Sequence, residues 1–79
     1  MILTVDIGNT RIKGAVFEQY TLVEFFVFEV EELRKKIENI LKKYPNLKHL
    51  VVSSVGNLEK ELFLAFESKL KVHFVSHKD

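Results

Sequence analysis

The chain has 79 residues, and that length makes one small domain whose 47% hydrophobic content, with seven Phe, excludes a disordered chain. Twelve basic against eleven acidic side chains leave a net charge of +1, which gives no support for a nucleic-acid or membrane-surface partner. The lack of Cys excludes a disulfide scaffold and a thiolate zinc site, and apolar runs such as Phe25 to Phe28 are far too short to cross a bilayer.

Met1 to Ile7 reads as a short central strand, with Ile2, Leu3, Val5 and Ile7 apolar toward both faces. Gly8-Asn9 is a turn signal, because both residue types tolerate positive φ, so the chain is expected to double back there. Arg11 to Phe17 alternates loosely as strand two, Glu18-Gln19 is a weak polar turn, and Thr21 to Val30 is a strand rich in Phe and Val. These three strands make an antiparallel meander. Glu31 to Tyr44 predicts a helix, with Leu33, Ile37, Ile40, Leu41 and Tyr44 on one apolar stripe. Glu31–Lys35, Glu32–Lys36 and Glu38–Lys42 are expected as i,i+4 pairs, making its Lys-rich face a solvated one rather than a nucleic-acid surface. His49 to Ser53 is a buried fourth strand. Asn57 is the expected cap of a second helix reaching Leu70, with Leu58, Leu62, Ala65, Phe66 and Leu70 inward, before a last strand at Lys71 to Val75. The order β-β-β-α-β-α-β predicts an α/β fold, a five-stranded mixed sheet in order 3-2-1-4-5 with two helices and parallel, right-handed crossovers in its second half. If strand three is an edge, one face of the Phe25–Phe28 run lacks cover and is expected to pack against another part of a longer protein or another subunit.

The stretch that carries chemistry is Asp6-Ile7-Gly8-Asn9-Thr10-Arg11-Ile12-Lys13. A carboxylate ends a central strand, a tight turn offers backbone N–H groups, a hydroxyl follows, and an ammonium stands seven residues after the carboxylate. Phosphoryl transfer uses these parts: a carboxylate for Mg²⁺, and amides, hydroxyl and ammonium against phosphate oxygens. A Gly-Asn hairpin between Asp and Thr also occurs in ordinary antiparallel proteins, so spacing alone leaves both readings open. Asp6 on a strand of Ile, Leu and Val favours the functional one, since an unpaired carboxylate there costs stability.

In this stretch the chain resembles the N-terminal part of the type III pantothenate kinases, in the superfamily of acetate and sugar kinases, heat-shock ATPases and actin. That family opens with Asp-x-Gly-Asn-Thr/Ser-x-x-Lys/Arg, matched by Asp6, Gly8, Asn9, Thr10 and Lys13. Val52-Ser53-Ser54-Val55 matches a second landmark, although Gly56-Asn57 replaces the Val-Pro that follows it in the family. The resemblance implies ATP-dependent phosphorylation of pantothenate, the first step of coenzyme A synthesis, in the cytoplasm. It implies Asp6 on Mg²⁺, and Gly8, Asn9, Thr10 and Lys13 on the ATP phosphates. It further implies a monovalent cation (K⁺ or NH₄⁺), small-molecule partners only, and a homodimer for the full-length enzyme. The family's Gly-x-Asp-Arg motif, which supplies the catalytic base, is not found in these residues. Residues 1–79 are therefore expected to form a single domain, the N-terminal part of the first lobe without the second, and to be inactive alone. Two other readings stand beside it: a non-catalytic folding or interaction module of the same fold, and another phosphotransferase or ATPase of the superfamily.

The element order also matches ribonuclease H-like nucleases, which share this core topology. Those need several carboxylates on two metals, and only Asp6 and Glu38 offer themselves, with Ser53 and Ser54 where a further acid is needed. His49, His73 and His77 show no metal-like spacing. Ser53-Ser54 is read equally as a cleft floor and as a strand end capping the next helix.

Overall fold

The computed structural model describes residues 1–8, 11–54 and 61–76, with Ser54 and Ser76 by backbone. Strands β1 (Ile2–Ile7), β2 (Ile12–Glu18) and β3 (Thr21–Phe28) form the antiparallel meander. Helix α1 (Leu33–Lys43), strand β4 (His49–Ser54), helix α2 (Glu61–Leu64) and strand β5 (Lys71–Ser76) follow. The sheet order is β3-β2-β1-β4-β5, with β4 parallel to both β1 and β5. This is the five-stranded mixed sheet that the sequence predicts.

Both crossovers, β3 to β4 and β4 to β5, move the chain toward the β5 edge. A common right hand therefore puts α1 and α2 on the same face of the sheet. On that face Leu3, Val5, Ile12, Val16, Leu50 and Val52 pack against Leu33, Ile37 and Ile40 of α1 and Phe63 of α2. The opposite face carries no helix among the described residues. Side-chain alternation divides the Phe25–Phe28 run between the two: Phe28 is 4% exposed under the helices, whereas Phe25 is 55% and Val27 49% exposed on the open face. The central strand β1 is covered on one face only, for Leu3 and Val5 are buried while Ile2 is 38% exposed.

Several local expectations shift. The second hairpin turns at Gln19-Tyr20 rather than Glu18-Gln19, with Gln19 at φ 57°. Strand three stops at Phe28, and Val30–Glu32 is a 3-10 turn ahead of α1. Glu29 and Glu32 hold that turn as a capping box, the Glu29 N–H donating to Glu32 Oε1 at 3.2 Å. Glu31 and Glu32 thus lie outside the α-helix, and the expected pairs to Lys35 and Lys36 give way to Arg34–Glu38 at 3.7 Å. The apolar stripe itself holds, with Leu33, Ile37 and Ile40 buried and Leu41 and Tyr44 packed against them. In the second helical region the phase differs by one residue. Phe63 is buried while Leu62 and Ala65 face solvent, and Phe66 and Leu70 point inward as expected. The Asn57 cap and Leu58 lie outside the described residues.

The C-terminal end of α1 is tied to β3 across the helix-covered face. Lys43 Nζ donates to Glu24 Oε1 at 2.7 Å, and the Tyr44 hydroxyl donates to the same oxygen. These two donors, Lys43 first, hold the Glu24 carboxyl below the usual range. The same contact with Glu24 raises Lys43 and Tyr44. A lowered carboxyl adds stability above its ordinary pKa and loses it as pH falls through the lowered value. The raised Lys43 and Tyr44 add stability below their ordinary values and lose it as pH rises through the raised ones. Glu24→Gln should therefore flatten the acid limb of a Tm-versus-pH curve and meet the wild type at its acid extreme. The group is partly solvated, so the effect is small in absolute size. An acid limb unchanged by the substitution would refute the tether.

Candidate functional site

Asp6 lies near the C-terminal end of β1, the strand at the centre of the sheet. Alternation turns it away from Leu3 and Val5 and onto the open face, where it is exposed. Its antiparallel register partner is Lys13 and its parallel partner is Ser53. The three polar side chains form one row across β2, β1 and β4, flanked by Val27 on β3 and Val75 on β5. Within the row the Ser53 hydroxyl donates to Asp6 Oδ1 at 3.2 Å. This contact orients one carboxylate oxygen, and among the described residues no hydrogen bond engages the other. Ser53 thus belongs beside Asp6. The parallel pairing of β4 with β1 brings it there, and local spacing, which joins only Asp6 and Lys13, does not show it.

The loop beyond β1 closes through Gly8, whose N–H donates to the Arg11 carbonyl at 3.0 Å. Gly8 and Arg11 are therefore the bonded pair that ends the ladder, and Asn9 and Thr10, between them, lie outside the described residues. Gly8, expected at the turn centre, stands instead in this closing pair. Gly8 does not use positive φ; a Cβ there would come 3.2 Å from the Arg11 oxygen, so close backbone approach is what favours glycine. Its N–H is committed to the hairpin.

Glu38, a carboxylate candidate for a two-metal nuclease, is not brought to this row. It sits on α1, on the other side of the sheet from Asp6, and pairs with Arg34. His49 and His73, far apart in sequence, stack on the open face with ring centroids 5.7 Å apart. His77 lies outside the described residues. Among the described residues no three His, Asp or Glu side chains converge as a metal cluster, and no helix is long and apolar enough to cross a membrane.

No protein-family model matches this chain. Curated relatives do: it is 62% identical over all 79 residues to a type III pantothenate kinase of Flavobacterium johnsoniae, covering 32% of that protein. It is 49% identical over 78 residues to a type III pantothenate kinase of Flavobacterium psychrophilum, again covering 32% of it. This chain matches the type III pantothenate kinase family. It spans about a third of the length of these relatives. A type III pantothenate kinase of Christiangramia forsetii adds a 40% identical match over 62 residues. Two solved structures share the fold at low identity. A Listeria monocytogenes protein assigned as an N-acetylmannosamine kinase superposes with TM-score 0.70 at 18% identity, covering 95% of this chain and 34% of that one. A ROK hexokinase from Thermus thermophilus gives 0.65 at 14% identity, with 95% and 33% covered. The chain thus shares its fold with these two structures, a five-stranded mixed sheet consistent with the ribonuclease H-like fold.

Proposed function

We propose that this chain forms the phosphate-binding, N-terminal part of the first lobe of a type III pantothenate kinase, whose reaction transfers the γ-phosphoryl group of ATP to pantothenate in coenzyme A synthesis. The observation that carries this reading is the Lys13–Asp6–Ser53 row at the open end of β1, beside the tight Gly8–Arg11 closure. A carboxylate next to a hydroxyl suits Mg²⁺, which keeps most of its waters and takes one or two carboxylates plus phosphate oxygens. Asp6 would hold that ion, and the metal would supply charge neutralisation on the ATP phosphates. Lys13, one strand away, contributes a second positive charge to the same anion. Ser53 keeps the carboxylate oriented, and Gly8, Asn9 and Thr10 line the phosphates.

Family resemblance extends the proposal to a K⁺ or NH₄⁺ requirement, a homodimeric full-length enzyme, a cytoplasmic location and a second lobe that completes the cleft. Phosphoryl transfer depends on positioning from both sides of the transferred group, so a single wall binds without turning over. Titration of this chain with Mg²⁺–ATP, followed by amide NMR, should shift the signals of Asp6, Gly8, Lys13 and Ser53. Unchanged signals at millimolar nucleotide would sink the phosphate-binding reading.

A further inference from the structure

We propose a second anion site, for a small multivalent phosphate compound, at the opposite end of the sheet from Asp6. The parallel strands β4 and β5 begin there with basic residues. His49 pairs in register with Lys71, and the His49 ring stacks on His73. The Lys71 N–H donates to the Lys48 carbonyl at 2.8 Å, which fixes the two lysines on adjacent segments. The turn that follows α2 adds Lys69. Lys48, His49, Lys69 and Lys71 line one concavity of about 410 Å³, with Glu67 its single carboxylate. That size falls in the ~300–1,000 Å³ range of small-ligand sites, and the basic groups on its wall suit an anionic ligand.

Three lysines and a histidine converge on this concavity against one carboxylate, Glu67. On α1, by contrast, Arg34 pairs with Glu38, and Lys43 pairs with Glu24 of β3. Here, among the described residues, none of the three ammonium groups pairs with a carboxylate, although the whole chain is nearly neutral. Neighbouring parallel strands lie about 4.8 Å apart, so the His49 and Lys71 side chains bring donors close together, where one oxyanion can accept from both. Lysine ammonium groups and imidazole N–H groups are donors to such an anion, and several of them at once favour a multivalent one. A single phosphate would engage only part of the set.

The site is independent of the Asp6 row. Four residues of strand separate His49 from Ser53, about 13 Å, so one phosphate chain bound at Asp6 does not reach it. Inorganic tripolyphosphate, titrated into the full chain at constant ionic strength, is the test. Saturable shifts are expected in the ring protons of His49 and His73 and in the amides of Lys69 and Lys71. Lys69→Glu and Lys71→Glu should each weaken this binding by at least about tenfold while leaving the response of Asp6 and Lys13 to Mg²⁺–ATP intact. Asp6→Asn should leave the tripolyphosphate response unchanged. All three substitutions are at exposed positions, so the fold is retained in each. Three results would overturn the proposal: no shifts at millimolar tripolyphosphate, shifts that survive both lysine reversals, or an equal response to chloride. Tighter binding to a single-stranded RNA oligonucleotide than to tripolyphosphate would also overturn it, in favour of a nucleic-acid surface.

Discussion

Asp6→Asn should lower the pantothenate kinase turnover of a full-length protein carrying this chain by about a thousandfold or more, with no loss of folding stability. The substitution removes one formal negative charge and changes almost nothing else. The amide oxygen of Asn still accepts from the Ser53 hydroxyl, and the position is exposed, so the stability change stays within about 0.5 kcal/mol. In the proposed role of Asp6, what would be lost is the anionic ligand for Mg²⁺, and with it the charge neutralisation on which phosphoryl transfer depends. Ser53→Ala gives the internal scale. It deletes one hydrogen bond to the carboxylate, worth about 1 kcal/mol net, and should cost only about fivefold. Lys13→Met should act mainly on KM for ATP, because the ammonium holds charge rather than metal. Steady-state kinetics on the three variants, with Tm alongside, separates these roles. Turnover of Asp6→Asn within tenfold of wild type would end the metal assignment.

The parts of this picture that the sequence carries most clearly are those set by local periodicity. Leu33, Ile37 and Ile40 recur at helical spacing, and they are the residues that α1 buries. Short alternating runs, with right-handed crossovers, lead to the order 3-2-1-4-5 that the sheet adopts. Less legible is anything decided between elements. Lys43 reaches across to Glu24 on β3, a contact between residues 19 apart in sequence that no i,i+4 spacing on the helix face signals. Ser53 comes to Asp6 from 47 residues away through the β1–β4 ladder. His49 and His73 meet only because β4 and β5 are parallel neighbours. Turn positions differ for a related reason. Gly8 is read as the turn centre from its tolerance of positive φ, whereas its place is fixed by how near the Arg11 oxygen comes. The one-sided cover of β1 depends on the fold as well: apolar residues on both faces say that a strand can be buried twice, not that two layers are there to bury it.

The same limit governs α2 and yields the largest stability effect expected in the chain. Leu62, Ala65, Phe66 and Leu70 fit a helical stripe, but so does the set containing Phe63, and a run of Leu62-Phe63-Leu64-Ala65-Phe66 is apolar at every position. Periodicity cannot choose a phase in such a run; packing chooses it. The described helix is short, Glu61–Leu64, and continues in tighter turns, with the Phe66 N–H bonded to the Phe63 carbonyl and the Lys69 N–H to the Phe66 carbonyl. Phe63 is fully buried, and its ring meets Phe74 of β5 edge to face, centroids 6.2 Å apart at 81°. Phe63→Ala should destabilise the chain by about 3–5 kcal/mol, a transfer loss plus an unfilled cavity. Leu62→Ala, at a position 38% exposed, should cost under about 1 kcal/mol. Total stability for a domain this size is about 4–12 kcal/mol, so the first substitution removes a large share and the second very little. Urea unfolding of the two variants measures this directly, as midpoints that move at constant m. Equal midpoints would mean that Leu62 and Phe63 share the core, and the phase assigned to α2 would have to be withdrawn.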